Sequence, residues 1–286
     1  LLAAEADHAV AERGIKEGAV SGGSLQSTLA VVSEDPYTNP GTYHRTQVEP
    51  DTAAFGSTIV SVFQSGRSTN WGASNFGWSV SSDAGHTWTD GFLPGTTTHA
   101  TPPGRWRRVT DPAVAYDASH DTWLIVGEGI RRLPCALSGS CTGARVFVSR
   151  STDGAETFDM PLLPQRPKRS QFFDVPWIAC DNVTTSPFYG NCYMVWVDGG
   201  HEALLQASTS SDGGLTWTAA TIEPSHHCVG HPMPVVQPEG NVVIVFIDEC
   251  ANYKRRAFIS SDGGANFVGP CDSAVGDGGG TGGVFS

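Results

Sequence analysis

One eight-residue pattern occurs four times in this chain: Ser81-Ser82-Asp83-Ala84-Gly85-His86-Thr87-Trp88, Ser151-Thr152-Asp153-Gly154-Ala155-Glu156-Thr157-Phe158, Ser210-Ser211-Asp212-Gly213-Gly214-Leu215-Thr216-Trp217 and Ser260-Ser261-Asp262-Gly263-Gly264-Ala265-Asn266-Phe267. The template is Ser-x-Asp-x-Gly-x-Thr-Trp, with Phe replacing Trp twice. A single copy would say little, because Ser, Asp and Gly cluster in many turns. Four copies mark a repeated structural unit. A short Asp accepts hydrogen bonds from the N–H groups of its own turn, and Gly supplies a residue at positive φ. Thr and the aromatic then restart a strand, with the ring covering the turn. Each copy is therefore predicted to be the tip of a β-hairpin, with Asp83, Asp153, Asp212 and Asp262 structural and not catalytic.

The four Asp residues lie 70, 59 and 50 residues apart. Each copy is preceded by a Pro-containing polar start, an apolar strand, a turn and a second apolar strand. These run from Glu49-Pro50-Asp51 to Phe63, from Asp111-Pro112 to Val126, from Asp174-Val175-Pro176 to Val197, and from His231-Pro232 to Ile247. Strand, turn, strand and the repeated hairpin make four strands per unit. The expected fold is all-β, a β-propeller of four-stranded blades with insertions on some loops.

Composition agrees. The chain is 39% hydrophobic, and its 34 Gly and 18 Pro suit short strands and tight turns. No long periodic helices separate the strands, which argues against a doubly wound α/β fold. Residues 1–17, rich in Ala, Glu and Leu, read as a short helix or a disordered lead-in. The expected organisation is an N-terminal extension over 1–40 and the propeller over 41–286. A net charge of −12 argues against a phosphate-neutralising surface, so no nucleic-acid partner is expected. Arg105, Arg107 and Arg108, Arg131-Arg132, Lys168-Arg169 and Lys254-Arg255-Arg256 are local exceptions, read as solvated loop charges or the lining of an anion site. No stretch is long and apolar enough to cross a membrane, and no membrane insertion is expected.

Seven cysteines occur. Cys135 and Cys141 bracket a Gly/Ser loop, Cys180 and Cys192 flank a turn between neighbouring strands, and Cys228 and Cys250 flank the first hairpin of the fourth unit. These three pairs are predicted disulfides, which implies an oxidising compartment and a secreted or cell-surface protein. Asn182-Val183-Thr184 is a glycosylation sequon. Cys271 is left over. A propeller hides its sheet edges by closing, and four units are few. The expectation is that the natural chain continues beyond Ser286 with one or two more blades, or that residues 25–32 complete an irregular fifth.

The repeats resemble the Asp-box (BNR) repeats of sialidase-type propellers, over roughly residues 49–267. Val48-Glu49-Pro50-Asp51-Thr52, Gly72-Ala73-Ser74-Asn75, Gly91-Phe92-Leu93-Pro94-Gly95-Thr96, Asp111-Pro112-Ala113-Val114-Ala115-Tyr116-Asp117, Trp177-Ile178-Ala179-Cys180-Asp181-Asn182 and Ser186-Pro187-Phe188-Tyr189-Gly190 are similar to a group of secreted bacterial exo-alpha-sialidase-like proteins. The resemblance implies a six- or seven-bladed propeller, six most simply, with a carbohydrate-related role. It does not carry sialidase chemistry with it. Sialidases hold the substrate carboxylate with three arginines, the first in an Arg-Ile-Pro motif. The corresponding stretch here is Val48-Glu49-Pro50, where no arginine is present and an acid stands. The Tyr/Glu nucleophile pair and the acid Asp of that family cannot be placed on this sequence either.

Innermost strands of a propeller line its channel, and ligands bind at its mouth. The best-placed candidates are therefore the strand starts: Glu49 and Asp51, Asp111, Asp174 and His231, joined by Arg108 and by Arg67 at the end of a first-hairpin strand. Two carboxylates across a cleft are the apparatus of most glycosidases, with Asp111, Asp174 and Glu49 as the catalytic candidates. The same hard oxygens suit Ca2+, although no cofactor is required. The plainer alternative is that the acids cap strands and pair with arginines between blades. His226-His227-Cys228-x-x-His231 matches no standard zinc spacing. Trp123, Trp177 and Trp196 lie in apolar runs and are expected in the core, whereas Trp71 and Trp106 lie in polar loops and are candidate sugar platforms. Gly127-Glu128-Gly129 is too short for a phosphate loop, and no Gly-x-Ser-x-Gly elbow occurs.

Two functions follow. One is a non-catalytic, sialidase-like propeller that binds glycans or a cell-surface or matrix protein. The other is a glycoside hydrolase working through carboxylates at the channel mouth.

Overall fold

The computed structural model describes residues 30–69, 71–131, 144–165, 172–199, 203–218, 220–222 and 228–272. The expected N-terminal helix, the Cys135–Cys141 pair, Arg132, Lys168, Arg169, His226, His227 and most of the segment 25–32 lie outside them. The chain divides into residues 1–31 and 32–286, and all strands belong to the second part. Every regular element among the described residues is a strand, so the fold is all-β.

The strands form four successive antiparallel meanders. The first contains β1 (Gln47–Phe55), β2 (Thr58–Arg67), β3 (Ala73–Ser81) and β4 (Thr89–Phe92). The second contains β5 (Arg108–Asp117), β6 (Thr122–Ile130) and β7 (Arg145–Ser151), with an isolated bridge between Val148 and Leu162 at the place of a fourth strand. The third is β8 (Phe173–Cys180), β9 (Cys192–Asp198), β10 (Leu204–Ser210) and β11 (Ala220–Thr221). The fourth is β12 (Val229–Val236), β13 (Val242–Asp248), β14 (Lys254–Ser260) and β15 (Val268–Asp272). One residue pair, Ala73 with Val109, joins the first two meanders into a single sheet, and no sheet closes on itself among the described residues.

The central strands are buried on both faces, which explains their near-continuous apolar runs. Because side chains alternate along a strand, each strand feeds two cores. On β6, Trp123 and Ile125 pack with Val60, Val62, Phe76 and Trp78 of the first meander, whereas Leu124 and Val126 pack with Met194 and Trp196 of the third. On β9, Met194 and Trp196 face the second meander, while Tyr193, Val195 and Val197 meet Val242, Ile244 and Phe246 of the fourth. The meanders therefore stack face to face, with an apolar layer at each of three junctions.

The repeated octets sit where the sequence places them, directly after the third strand of each meander. In the first, Ser81 Oγ donates to Asp83 Oδ1 at 2.8 Å and accepts from the Gly85 N–H at 2.8 Å. Thr87 donates its N–H to Asp83 Oδ1 at 2.8 Å and its hydroxyl to Oδ2 at 2.6 Å. The same network recurs around Asp153, Asp212 and Asp262, with the Asn266 amide replacing the Thr hydroxyl in the last. Trp88 and Trp217 each donate their indole N–H to the carbonyl two residues after the Asp, at 3.1 and 3.0 Å, and so close over the turn.

Two predicted disulfides are present, Cys180–Cys192 and Cys228–Cys250. The first joins directly paired residues of β8 and β9, and the second closes the base of the β12–β13 hairpin. Cys271, on β15, is a free, exposed thiol. The sequon Asn182 does not present a free amide. Its oxygen accepts the Ala118 N–H and its nitrogen donates to the Tyr116 carbonyl, both at 2.8 Å, so it latches the third meander to the second.

Candidate functional site

The first strands of successive meanders, β1, β5, β8 and β12, lie side by side. Each carries the same irregularity. The register slips between Val48 and Asp51, Thr110 and Ala113, Asp174 and Trp177, and Gly230 and Met233. Each bulge contains a residue followed by Pro, and that residue has positive φ: 53° at Glu49, 54° at Asp111, 44° at Val175 and 48° at His231. Proline disfavours the right-handed helical region for the residue before it and contributes no N–H to the ladder. A bulge re-aims the side chains on either side of it. From their Pro-containing segments these residues are expected at strand starts. The structure puts them inside the strands, at a bulge repeated four times.

The four bulges line one cavity of about 400 Å³, walled by Glu49, Pro50, Asp51, Asp111, Pro112, Val175, Pro176, Trp177, His231, Pro232 and Met233. Of the predicted site residues, Glu49, Asp51, Asp111 and His231 meet here. Asp174 approaches Asp111 from the next strand, within the cluster described below. At the bulge position itself the third meander has Val175, so the repeat is not a ring of acids.

Arg67 lies 3.9 Å from Glu49 and donates to Gln64 Oε1 at 3.0 Å. Gln64, fully buried, passes the contact on through its amide nitrogen, to the Glu49 carboxylate and to Thr110 Oγ1. The Asp51 carboxylate accepts the Val114 N–H at 2.8 Å, tying the first meander to the second. Burial pushes the Asp51 carboxyl up, and its backbone hydrogen bonds only partly offset this.

The residue that sequence reasoning missed is Glu128. It lies on β6 opposite Thr110 and is 1% exposed. One carboxyl oxygen each of Asp111, Glu128 and Asp174 lie within 4.8 Å of one another. Neither Glu128 oxygen meets a conventional donor. The carboxyl facing it is that of Asp174, and the two share a hydrogen bond only when one carries a proton. Burial first, then the charges of Asp174 and Asp111, hold Glu128 well above the usual carboxylate range. Asp111 is pushed up to about 7, by burial, then by Asp174 and Glu49, against an opposing pull from Thr110 and Arg67.

A signal for Glu128 exists in the sequence. A side chain at Gly127 would meet the Phe76 ring at 2.2 Å, and one at Gly129 would meet the Trp106 ring at 2.2 Å. The two glycines make room for aromatics on one face of β6, which turns Glu128 to the other face, that of Leu124 and Val126. A lone acid between two glycines in an otherwise apolar strand marks a charge directed at something specific.

That packing also corrects the reading of Trp106. It is 2% exposed and stacks on Phe147 with ring centroids 4.9 Å apart, so it offers no surface to a sugar. Trp177, expected in the core, is only partly buried and forms part of the cavity wall. Trp71 is 53% exposed, and its carbonyl accepts from Arg108 at 2.9 Å. Arg108 lines a separate polar cavity with Arg107, His99 and Ser74. Neither Trp71 nor Arg108 is among the residues lining the acidic cavity.

No family model matches the sequence, and neither does any curated protein. Solved structures do match in fold. A Hadza microbial sialidase superposes with a TM-score of 0.59 at 18% identity, over 76% of this chain and 45% of its own. The intramolecular trans-sialidase of Ruminococcus gnavus, solved with oseltamivir carboxylate, gives 0.61 at 11% identity, over 85% and 73%. The leech intramolecular trans-sialidase gives 0.62 at 10% identity, over 87% and 54%. The chain thus spans roughly half the length of two of these three proteins. At such identities the likeness is one of fold, and this chain has a sialidase-like fold.

Proposed function

We propose that the four meanders are blades of a β-propeller in a secreted or cell-surface protein, and that the cavity at the four bulges binds a glycan without sialidase activity. The observation that carries this reading is the lining of the cavity. Trp177 and Met233 supply an apolar wall, while Glu49, Asp51 and Asp111 supply acceptors for sugar hydroxyls. Negative lining opposes a sialic acid carboxylate, and Arg67, beside Glu49, is engaged by Gln64 and Glu49. A neutral or amino sugar fits this chemistry. The sialidase-like fold and the two disulfides support the carbohydrate and extracellular parts of the reading.

One observation favours hydrolysis as a second reading. Asp111 lines the cavity with its carboxyl held at about 7, where a general acid works at neutral pH, and Glu49 lines the same cavity. The test is a panel of sialylated, neutral, amino and uronic-acid glycans, with binding and product release both read. Binding without release, lost in Trp177→Ala, is the expected result. Release abolished by Asp111→Asn favours the hydrolase. Release of sialic acid, or no glycan bound at all, overturns the proposal, and the second of these outcomes directs the search to a protein partner.

A further inference from the structure

We propose that Asp111, Glu128 and Asp174 form a binding site for a single calcium ion, set behind the wall of the glycan cavity. The three carboxyls come from three strands of two meanders: Asp111 from β5, Glu128 from β6 and Asp174 from β8. Glu128 and Asp174 sit at paired ladder positions and Asp111 within the β5 bulge, so sheet backbone places all three groups. Their nearest oxygens lie within 4.8 Å of one another, a span equal to about twice a Ca–O bond. All three donors are oxygen, and among the described residues no thiol or imidazole joins them, which suits a hard cation and disfavours zinc.

Glu128 makes the cluster more than a group of acids. It is buried to 1% exposure, both of its oxygens lack a donor, and it is aimed at the other two carboxyls. A buried carboxylate with nothing to neutralise it costs several kcal/mol by general desolvation arguments. The plainest remedies for a chain that retains such a group are a proton or a cation. A cation satisfies all three carboxyls at once, whereas one shared proton satisfies a single pair. Asp111 also lines the cavity, so the open side of the ion is reachable by water or by a sugar hydroxyl. The site is independent of whether the cavity takes a glycan. A hydrolase needs Asp111 protonated and a calcium site needs it ionised, so one measurement separates the two.

The experiment uses the whole chain, stripped with chelator and titrated with calcium chloride in calorimetry and in thermal unfolding. Saturation near one ion per chain is expected, with a melting temperature that rises with calcium. Glu128→Gln keeps the shape of the side chain and is expected to weaken binding by about 100-fold. Asp111→Asn, at the half-buried cavity wall, is the second variant should Glu128→Gln not fold, and it is expected to lose the calcium response likewise. Glu34→Gln, at a separate cavity lined by Asp35 and Arg45, is expected to respond as wild type. Absence of saturable binding by the wild-type chain overturns the proposal. A calcium response that survives both Glu128→Gln and Asp111→Asn does so equally.

Discussion

Glu128 on β6 and Asp174 on β8 bring carboxyl oxygens within 4.8 Å of each other across the junction of the second and third meanders. Both are acids, and Glu128 has no conventional donor. Without a cation the pair is left with repulsion or with the uptake of a proton, and either costs stability at pH 8. Glu128→Gln is expected to raise the stability of the calcium-free chain by about 1–3 kcal/mol, because a carboxyl whose pKa rises on folding costs stability above its unfolded value, whether it stays charged or takes up a proton, and the variant retains the volume. Urea unfolding of both proteins in chelator checks this, and a destabilised variant would contradict it.

The four Asp networks predict acid sensitivity. The Thr87 side chain, then its N–H and the Ser81 hydroxyl, hold the Asp83 carboxyl well below the usual range, and Asn266 and Ser260 hold Asp262 at about 2. Burial raises Asp153 and Asp212, but their Thr and Ser hydrogen bonds outweigh it and the net direction is again downward. A carboxylate with a depressed folded-state pKa contributes stability that is fully present above its unfolded value, about 4, and is lost as pH falls through the folded value. Stability is expected to drop between about pH 4 and 2. Thr87→Val is expected to return the Asp83 titration toward 4, as read by carboxyl NMR, and to leave the other three unchanged.

Each octet places its two residues after Asp at positive φ. In three of the networks the second is Gly, but in the first the leading position is Ala84, exposed at φ 59°. A non-glycine residue there costs about 1 kcal/mol of backbone strain. Ala84→Gly is expected to stabilise the chain by about 0.5 kcal/mol, the rest being lost to glycine's greater unfolded-state freedom. Gly214→Ala is expected to destabilise it, because the added carbon meets Leu124 Cδ2 at 2.6 Å at a φ of +80°. Chemical denaturation resolves both signs.

Two tryptophans should separate stability from binding. Trp106, stacked on Phe147 and filling the space above Gly129, is expected to cost about 3–5 kcal/mol when cut to Ala. Its milder variant, Trp106→Phe, is expected to leave glycan binding unchanged. Trp177→Ala is expected to lose binding at a smaller cost in stability, since that ring is partly exposed at the cavity wall. Weaker glycan binding in Trp106→Phe would return that residue to the candidate platforms.

Much of the fold was legible because it is local. The strand positions, the hairpin tips and the Cys180–Cys192 and Cys228–Cys250 pairs all follow from patterns a few residues long. The acids of the cavity were legible in part. Glu49, Asp51 and Asp111 stand beside prolines that announce an irregular strand, and His231 does the same in the fourth meander. Arg108, chosen for its nearness to Asp111 along the chain, lines a separate cavity, and Trp71, chosen as a loop aromatic, lies in the turn between β2 and β3, because neither position along the chain fixes which cavity a side chain reaches.

The sequence by itself determined the repeat, the all-β class and the hydrogen-bonded Asp turns, since each depends on contacts within one hairpin. Only the tertiary structure decided which acids meet. Glu128, Asp111 and Asp174 belong to three strands, and their convergence depends on bulge register, on the Phe76 and Trp106 rings that occupy the glycine face of β6, and on the stacking of the second meander against the third. These are long-range packing events, and a carboxylate's surroundings, hence its charge and its ligands, exist only once they have occurred.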